Sequence, residues 1–304
     1  MKNYSFNFSD FRYIDSHVHF FPEQLFQAIW DYWKREYLPL YPTWHNKYEW
    51  HNNELIEFLK KNRIEHYTTL NYAHRKGIAE GLNEWTRNFC LKNPSAIPFG
   101  TAHPDDYNIL DYTKKAIVDY NFLGFKFQLM VTDFYIHDNR LIPFYKLLQE
   151  LDKILYVHAG TAPSVNQNPP PGAKVGVKYF LKYLNQFPDN KVIVAHMGGY
   201  EYEEFFKIVE NYSNVYLDTT MIFITPDIHI FPEEDNPARF VGESRLLSFI
   251  EENNDKILFG SDFPNIPYDY IESINGLLSL NLSKKTYKKI FYENAKKLFI
   301  LRGF

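Results

Sequence analysis

The segment "RYIDSHVHFFP" (residues 12–22) joins a short apolar run to two closely spaced histidines. Tyr13 and Ile14 are typical of a buried strand, and His17 and His19 follow with one residue between them. Side chains two residues apart on an extended chain point to the same face, so both imidazoles can reach one ligand. The pair therefore predicts either a metal-binding strand end or two packed histidines, and other residues of the chain are needed to distinguish the two.

The same order of apolar run, polar loop and helical stretch recurs along the chain. The predicted strands are residues 13–19, 64–72, 96–103, 122–130, 154–160, 191–199, 214–220 and 256–262. Strands that alternate with helices predict a parallel sheet with right-handed crossovers, and eight such units predict an α/β fold of the closed (β/α)8 TIM-barrel type. A doubly wound open sheet is the alternative, but no GxGxxG follows the first strand to support it.

No shift in composition marks a linker, so we predict a single domain over residues 1–304 with long βα loops. Three connections are long: residues 20–51, 161–174 and 221–238. All three leave the carboxyl ends of strands, where barrel enzymes build their sites. The first is an insertion rich in Trp and Tyr, which we expect to wall a pocket or to form an interface in a homo-oligomer.

Composition excludes several classes of protein. The chain has 304 residues, of which 45% are hydrophobic, so it is long and apolar enough to bury a substantial core. The net charge of -4 provides no basic field for nucleic acid. One cysteine excludes an intrachain disulfide, and no stretch approaches the roughly 18 apolar residues of a membrane span. We expect a cytoplasmic protein with a small-molecule substrate and with neither nucleic-acid nor membrane partners.

Metal-ligating residue types collect at the carboxyl ends of the predicted strands. Beyond the first strand, His158 ends the fifth, His196 the sixth and Asp262 the eighth. Each of them alone is explained as a hydrogen-bonded or capping residue, but together they lie at one end of one barrel. Histidine nitrogen and carboxylate oxygen suit Zn²⁺, and also Fe²⁺, Mn²⁺ or Co²⁺. The combination predicts a divalent-metal site, with zinc the expected ion.

Further candidates lie on the second, third and fourth strands. Lys126 sits in the apolar strand "GFKFQ", where a charge is costly unless it is paired, modified or beside a metal. Gln128 shares its face. His74, Arg75 and His103 follow the second and third strands, and each is either a substrate contact or a hydrogen-bonded residue at the rim of the barrel.

The pieces "IDSHVHFFP", "GFKFQ", "YVHAG", "VIVAHMGG", "ILFGSDFP" and "ENAKKLF" run in order from residue 14 to residue 299. With these motifs the sequence resembles the amidohydrolase superfamily, in particular its amidohydrolase-related branch of metal-dependent hydrolases and decarboxylases. The resemblance covers nearly the whole chain, and it points to no particular substrate.

The resemblance also implies roles for individual residues. It implies that His17, His19, His158 and Asp262 bind the metal, and that His196 either contacts the metal or polarises the substrate. In binuclear members a lysine on the fourth strand is carbamylated and bridges two metals, which would make Lys126 a ligand. Many members of this branch bind one metal without such a lysine, so we favour one ion per chain.

The expected reaction is hydrolysis of an amide, ester or lactone by water that the metal activates. Asp262 is the candidate general base, and His196 could stabilise negative charge on the attacked carbonyl. The alternative is non-oxidative decarboxylation on the same scaffold, with Arg75 or Lys126 as the cation for a second acidic group. A non-catalytic metal-binding barrel is a third hypothesis, and it predicts the loss of at least one ligand, which this sequence does not show.

Overall fold

The structure of the chain is a computed structural model, which describes residues 6–36, 38–39, 42–161, 174–224 and 244–300. Most of the long connections predicted after the fifth and seventh strands lies outside these residues.

Eight parallel strands form one sheet in which they follow each other in chain order. The strands are β1 (Tyr13–Asp15), β2 (Ile64–Leu70), β3 (Ala96–Gly100), β4 (Gly124–Phe127), β5 (Ile154–Val157), β6 (Lys191–Val194), β7 (Val215–Asp218) and β8 (Ile257–Leu258). Helices interleave with them, so the fold is the predicted TIM barrel. The strands are shorter than predicted, and β1 ends before His17 and His19.

The helices lie between consecutive strands and after β8. They are α1 (Glu23–Glu36), α2 (Asn52–Lys61), α3 (Ala79–Lys92), α4 (Ile109–Val118), α5 (Ile142–Glu150), α6 (Val177–Gln186), α7 (Tyr202–Asn211), α8 (Ser244–Glu252), α9 (Ile271–Leu278) and α10 (Lys284–Lys288). Turns of π-helical type continue α10 over Lys289–Glu293 and Lys296–Ile300. Within the described part of the chain, none of these helices has both the length and the apolar character needed to cross a bilayer.

The helix α1 corrects the sequence-based view of residues 20–51, which were predicted as a long connection. Phe26 and Trp30 are four residues apart and both are buried, so they form one apolar helix face. Lys34 and Arg35 lie in its last turn, where positive charge is favourable. The high aromatic content of the insertion hid this spacing, because Trp and Tyr also occur at positions outside the buried face.

The chain divides into two compact units, one of Met1–Tyr67 with Asp218–Phe304 and the other of Thr68–Leu217. The assignment of a single domain stays a prediction. In the first unit, β1 runs parallel to β2, with Asp15 opposite Tyr67. Ser16 N–H donates to the Phe259 carbonyl (2.9 Å) and Thr219 N–H to the Leu258 carbonyl (3.0 Å). Strand β8 therefore lies between the end of β7 and the end of β1.

The second unit contains the parallel pairs β3–β4, β4–β5, β5–β6 and β6–β7. Lys126 pairs with Tyr156, and Tyr156 in turn pairs with Ile193. Phe125 and Phe127 are buried against Phe144 of α5, at ring-centroid distances of 5.3 and 5.4 Å. The alternation along β4 thus places the two phenylalanines on the face that packs against helices, as their parity in the sequence predicts.

The aromatic insertion packs within the first unit. Tyr48 contacts Phe263 with ring centroids 5.0 Å apart, and its hydroxyl accepts a hydrogen bond from Tyr270 N–H (2.8 Å). Trp30 Nε1–H donates to Asn265 Oδ1 (3.2 Å). Since Phe263 and Asn265 follow β8, the insertion holds the turn that carries Asp262.

We predict that Gly124→Ala destabilises the protein. An alanine Cβ at this position of β4 would overlap the Ile154 carbonyl oxygen and lie 2.8 Å from the Phe99 ring. Overpacking of this kind costs about 1–3 kcal/mol, because a backbone carbonyl cannot move away as a flexible side chain can. The urea midpoint of unfolding, followed by circular dichroism, should fall by the corresponding amount.

Gly81→Ala is the matched control for that measurement. Gly81 lies in α3, and a Cβ there meets nothing within 4 Å. Since alanine is the better helix former, this variant should gain roughly 0.5–1 kcal/mol. Equal urea midpoints for Gly124→Ala and the wild type would contradict the close packing of β4 against Ile154 and Phe99.

Candidate metal centre

Backbone hydrogen bonds join the segment after β1 to the turn after β8. His19 N–H donates to the Phe263 carbonyl (2.8 Å), and Asp262 N–H donates to the His17 carbonyl (2.9 Å). Val18 and Phe263 form an isolated parallel bridge between these hydrogen bonds. This reciprocal pairing fixes the two segments in one register, and it brings the side chains of His17, His19 and Asp262 to the same place.

The three side chains form a compact group. Asp262 Oδ1 lies 2.9 Å from His19 Nε2 and 3.3 Å from His17 Nε2. One ligand atom from each residue lies within 4.8 Å of the other two. Both histidines are buried, whereas the Asp262 carboxylate keeps 17% of its surface exposed. The group is therefore open to solvent on its carboxylate side.

This donor set fits a divalent cation. Two imidazole nitrogens and one carboxylate oxygen are ligands that Zn²⁺, Mn²⁺, Fe²⁺ and Co²⁺ all accept. Three protein ligands leave coordination positions for water or substrate, which is what separates a catalytic site from a closed structural one. The predicted meeting of His17, His19 and Asp262 is thus present in the structure.

A buried carboxylate beneath this group holds its framework together. Asp15 Oδ1 accepts hydrogen bonds from the N–H groups of His17 and Ser261, both at 3.1 Å. Asp15 Oδ2 accepts from the hydroxyls of Ser261 (2.6 Å) and Tyr270 (2.8 Å). Burial raises the pKa of Asp15 to about 7, although these four donors favour the charged form and oppose that rise. One carboxylate thereby connects β1, the turn after β8 and the start of α9.

Asp218, at the end of β7, is a site residue that the sequence analysis missed. Its Oδ2 lies 2.8 Å from His17 Nδ1, and its Oδ1 accepts a hydrogen bond from Thr220 N–H at 2.9 Å. The side chains of Asp218 and His17 are both fully buried. The available signal was the aspartate at the carboxyl end of the predicted strand "NVYLDTT", the same position that singled out the other candidates.

The second unit holds another pair of predicted site residues. The rings of His158 and His196 lie with their centroids 4.5 Å apart. His196 has a φ of 55°, in the left-handed region, so the chain turns sharply as it leaves β6. Lys126 is fully buried, with its Nζ 4.7 Å from the centroid of the Tyr156 ring. Metal contact by these three residues, and carbamylation of Lys126, stay predictions.

The predicted substrate contacts occupy different environments in the second unit. His74 and Arg75 are exposed, and His103 is buried. Burial lowers the pKa of His103 below its usual value, which favours the neutral imidazole. The Gln128 side-chain oxygen is buried and has no hydrogen-bond partner among the described residues. A buried amide oxygen of this kind is suited to a substrate donor, and the assignment of all four as substrate contacts stays a prediction.

Solved structures with this fold include several enzymes. A 2,6-dihydroxybenzoate decarboxylase in complex with 2,6-dihydroxybenzoate has a TM-score of 0.66 and 18% identity, with 96% of this chain and 100% of that chain covered. A 5-carboxyvanillate decarboxylase from Novosphingobium aromaticivorans, in complex with manganese and 4-hydroxy-3-methoxy-5-nitrobenzoic acid, has a TM-score of 0.67 and 15% identity, with 95% and 96% covered. A putative amidohydrolase from Staphylococcus aureus has a TM-score of 0.63 and 15% identity, with 95% and 99% covered.

At such identities, the similarity to these structures establishes the fold and nothing finer. No curated protein matches the chain. A sequence profile for the family described as Amidohydrolase matches residues 14–301, which is most of the chain.

We predict that Tyr270→Phe destabilises the protein, because it removes one hydroxyl donor from the buried Asp15 carboxylate. A hydrogen bond of this type contributes about 1–3 kcal/mol when its loss leaves a buried acceptor with one donor fewer. Chemical denaturation should show this loss. The control is Tyr107→Phe, since the Tyr107 side chain is 95% exposed and its hydroxyl should contribute less than about 0.5 kcal/mol. A Tyr270→Phe midpoint equal to that of the control would contradict the role of the Asp15 network.

Proposed function

The chain belongs to the amidohydrolase family, and on that premise we propose that it is a metal-dependent hydrolase of a small organic molecule. His17, His19 and Asp262 are the proposed ligands of one divalent ion. The observation that carries the proposal is the group of two imidazole nitrogens and a carboxylate oxygen within 4.8 Å of one another. His158 is proposed as a further ligand on the resemblance alone.

The residues of this group have different proposed roles in the reaction. A bound divalent ion supplies Lewis-acid charge, which can lower the pKa of water from 15.7 towards 7. Asp262 is the proposed general base, because its carboxylate is the partly exposed member of the group and can accept a proton at Oδ2. The same carboxyl group can return that proton to the leaving group. His17 and His19, both buried, hold their positions throughout.

His196 is proposed to donate a hydrogen bond to the oxygen on which negative charge develops. In support, the left-handed backbone at His196 sets its ring direction as the chain leaves β6, and its ring packs against that of His158. The expected substrate is an amide, an ester or a lactone. Zinc is the expected ion, although manganese is an alternative because the Novosphingobium decarboxylase binds it.

Decarboxylation is the second candidate reaction, and one specific observation favours it. Two of the three solved structures named above are decarboxylases, and the molecules bound in them are hydroxy-substituted benzoic acids. An aromatic acid of this kind needs a cation for its second acidic or phenolic group. Arg75, which is exposed, and Lys126, which is buried, are the candidates in this chain.

A panel of lactones, esters, amides and hydroxybenzoates separates the two reactions. Each compound is incubated with the metal-loaded protein, and both CO2 release and acid production are followed. Acid production without CO2 supports hydrolysis, whereas CO2 from a hydroxybenzoate contradicts it and supports decarboxylation. Metal that raises the melting temperature but supports neither reaction would favour a non-catalytic barrel.

We predict that Asp262→Asn lowers turnover by about 10²–10⁴-fold, because an amide cannot act as a general base. The metal content of the purified variant is measured by mass spectrometry alongside the rate. Asp255→Asn is the control, since Asp255 is an exposed aspartate in the same unit and should leave the rate unchanged. Full turnover in an Asp262→Asn protein that still binds metal would show that another group is the base.

A further inference from the structure

The contact between His17 and Asp218 spans an intervening strand. Strand β8 separates the end of β7, which carries Asp218, from the segment after β1, which carries His17. Neighbouring strands lie roughly 4.8 Å apart, so residues two strands apart are about 9.5 Å from each other along the sheet. An aspartate and a histidine can bridge that distance only if nothing stands between them.

Gly260, in the turn after β8, leaves the necessary space. A Cβ built on Gly260 would lie 2.8 Å from His17 Cβ and 3.4 Å from Asp218 Cγ, and it would overlap Thr220 Oγ1. Contacts of 2.8 Å or less are not found around real Cβ atoms, whereas 3.4 Å is an ordinary contact, so a side chain at this position would displace His17 and Thr220, the two residues that hydrogen-bond to the Asp218 carboxylate. The glycine and the hydrogen-bonded pair therefore belong to one arrangement.

The pair also determines which nitrogen of His17 is available. A charged Asp218 carboxylate has no proton to donate, so a hydrogen bond at 2.8 Å between its Oδ2 and His17 Nδ1 requires the proton to lie on Nδ1. The Thr220 N–H bond to Oδ1 fixes the orientation of that carboxylate. The lone pair of a neutral His17 then lies on Nε2, which is the nitrogen that faces Asp262 Oδ1 at 3.3 Å.

We infer that Asp218 is a positioning residue for the metal centre, because it holds His17 in the tautomer whose Nε2 can bind a metal. Gly260 permits this contact, because it has no side chain to occupy the space beside His17. The inference rests on the proposed function for its metal, but the tautomer itself is a property of the metal-free chain. Carboxylate partners of metal-binding histidines typically contribute 10–100-fold to metal affinity.

The first part of the test needs no substitution. Nitrogen-15 NMR of the ¹⁵N-histidine-labelled wild type, with the His17 signals identified by their absence in His17→Gln, should show a protonated Nδ1 both without metal and with Zn²⁺. A His17 Nδ1 that carries no proton in the wild type would overturn the inference.

The second part measures affinity for Zn²⁺ and Mn²⁺ by competition with a chelator. Asp218→Asn keeps the shape of the side chain, but its amide can donate to Nδ1 and so favour the opposite tautomer. We expect its dissociation constants to rise about 10–100-fold and its His17 ¹⁵N shifts to change. Gly260→Ala leaves Asp218 in the chain, and we expect it to raise the dissociation constants and to change the His17 ¹⁵N shifts in the same direction as Asp218→Asn does. Asp255→Asn, which alters an exposed aspartate of the same unit, should match the wild type.

The outcomes separate this inference from the proposed function. If the wild type binds the ions and Asp218→Asn binds them equally well, the positioning role is wrong and the metal site stands. If the wild type binds neither ion, the proposed function is wrong and the inference falls with it. A loss of affinity in Asp218→Asn without any change in the His17 ¹⁵N shifts would also overturn the inference, because it would show that Asp218 acts by charge alone.

Discussion

The candidate metal centre depends on one constraint, the reciprocal hydrogen bonding between the segment after β1 and the turn after β8. These segments are more than two hundred residues apart in the chain, yet His19 N–H bonds to the Phe263 carbonyl and Asp262 N–H bonds to the His17 carbonyl. The buried Asp15 carboxylate adds hydrogen bonds to both segments. These backbone hydrogen bonds fix the register of the two segments. The side chains of His17, His19 and Asp262 are therefore in position without an ion, and such preorganisation is what a precise site requires.

The carboxylates of this arrangement carry negative charge that a cation would offset. Three aspartates, Asp15, Asp218 and Asp262, surround two imidazoles in a region that is mostly shielded from water. Four donors compensate the charge of Asp15, and His17 with Thr220 compensates that of Asp218. Asp262 is the carboxylate whose near neighbours are two imidazole Nε2 atoms. A divalent cation between these three groups would offset the charge of Asp262 on the side where the group is open to solvent.

The sequence predicted the fold because most of its strands lie in short, largely apolar runs, and parallel strands at regular spacing have few alternatives. It predicted His17, His19 and Asp262 for the same reason, since the carboxyl ends of such strands meet at one end of the barrel. Asp218 was missed although it lies at the carboxyl end of a predicted strand, because its contact with His17 spans the intervening β8, and such a contact is visible only in three dimensions. The helix α1 was missed because an aromatic-rich segment obscures the spacing of its two buried residues.

Anomalous X-ray scattering from crystals of the protein grown with Zn²⁺ or Mn²⁺ tests whether His17, His19 and Asp262 bind the ion. Data collected on either side of the absorption edge of the metal place the ion without reference to any assumed ligand. The account predicts an anomalous peak within about 2.0–2.3 Å of His17 Nε2, His19 Nε2 and an Asp262 carboxylate oxygen. Metal bound elsewhere in the chain, with these three side chains hydrogen-bonded only to each other, would contradict it.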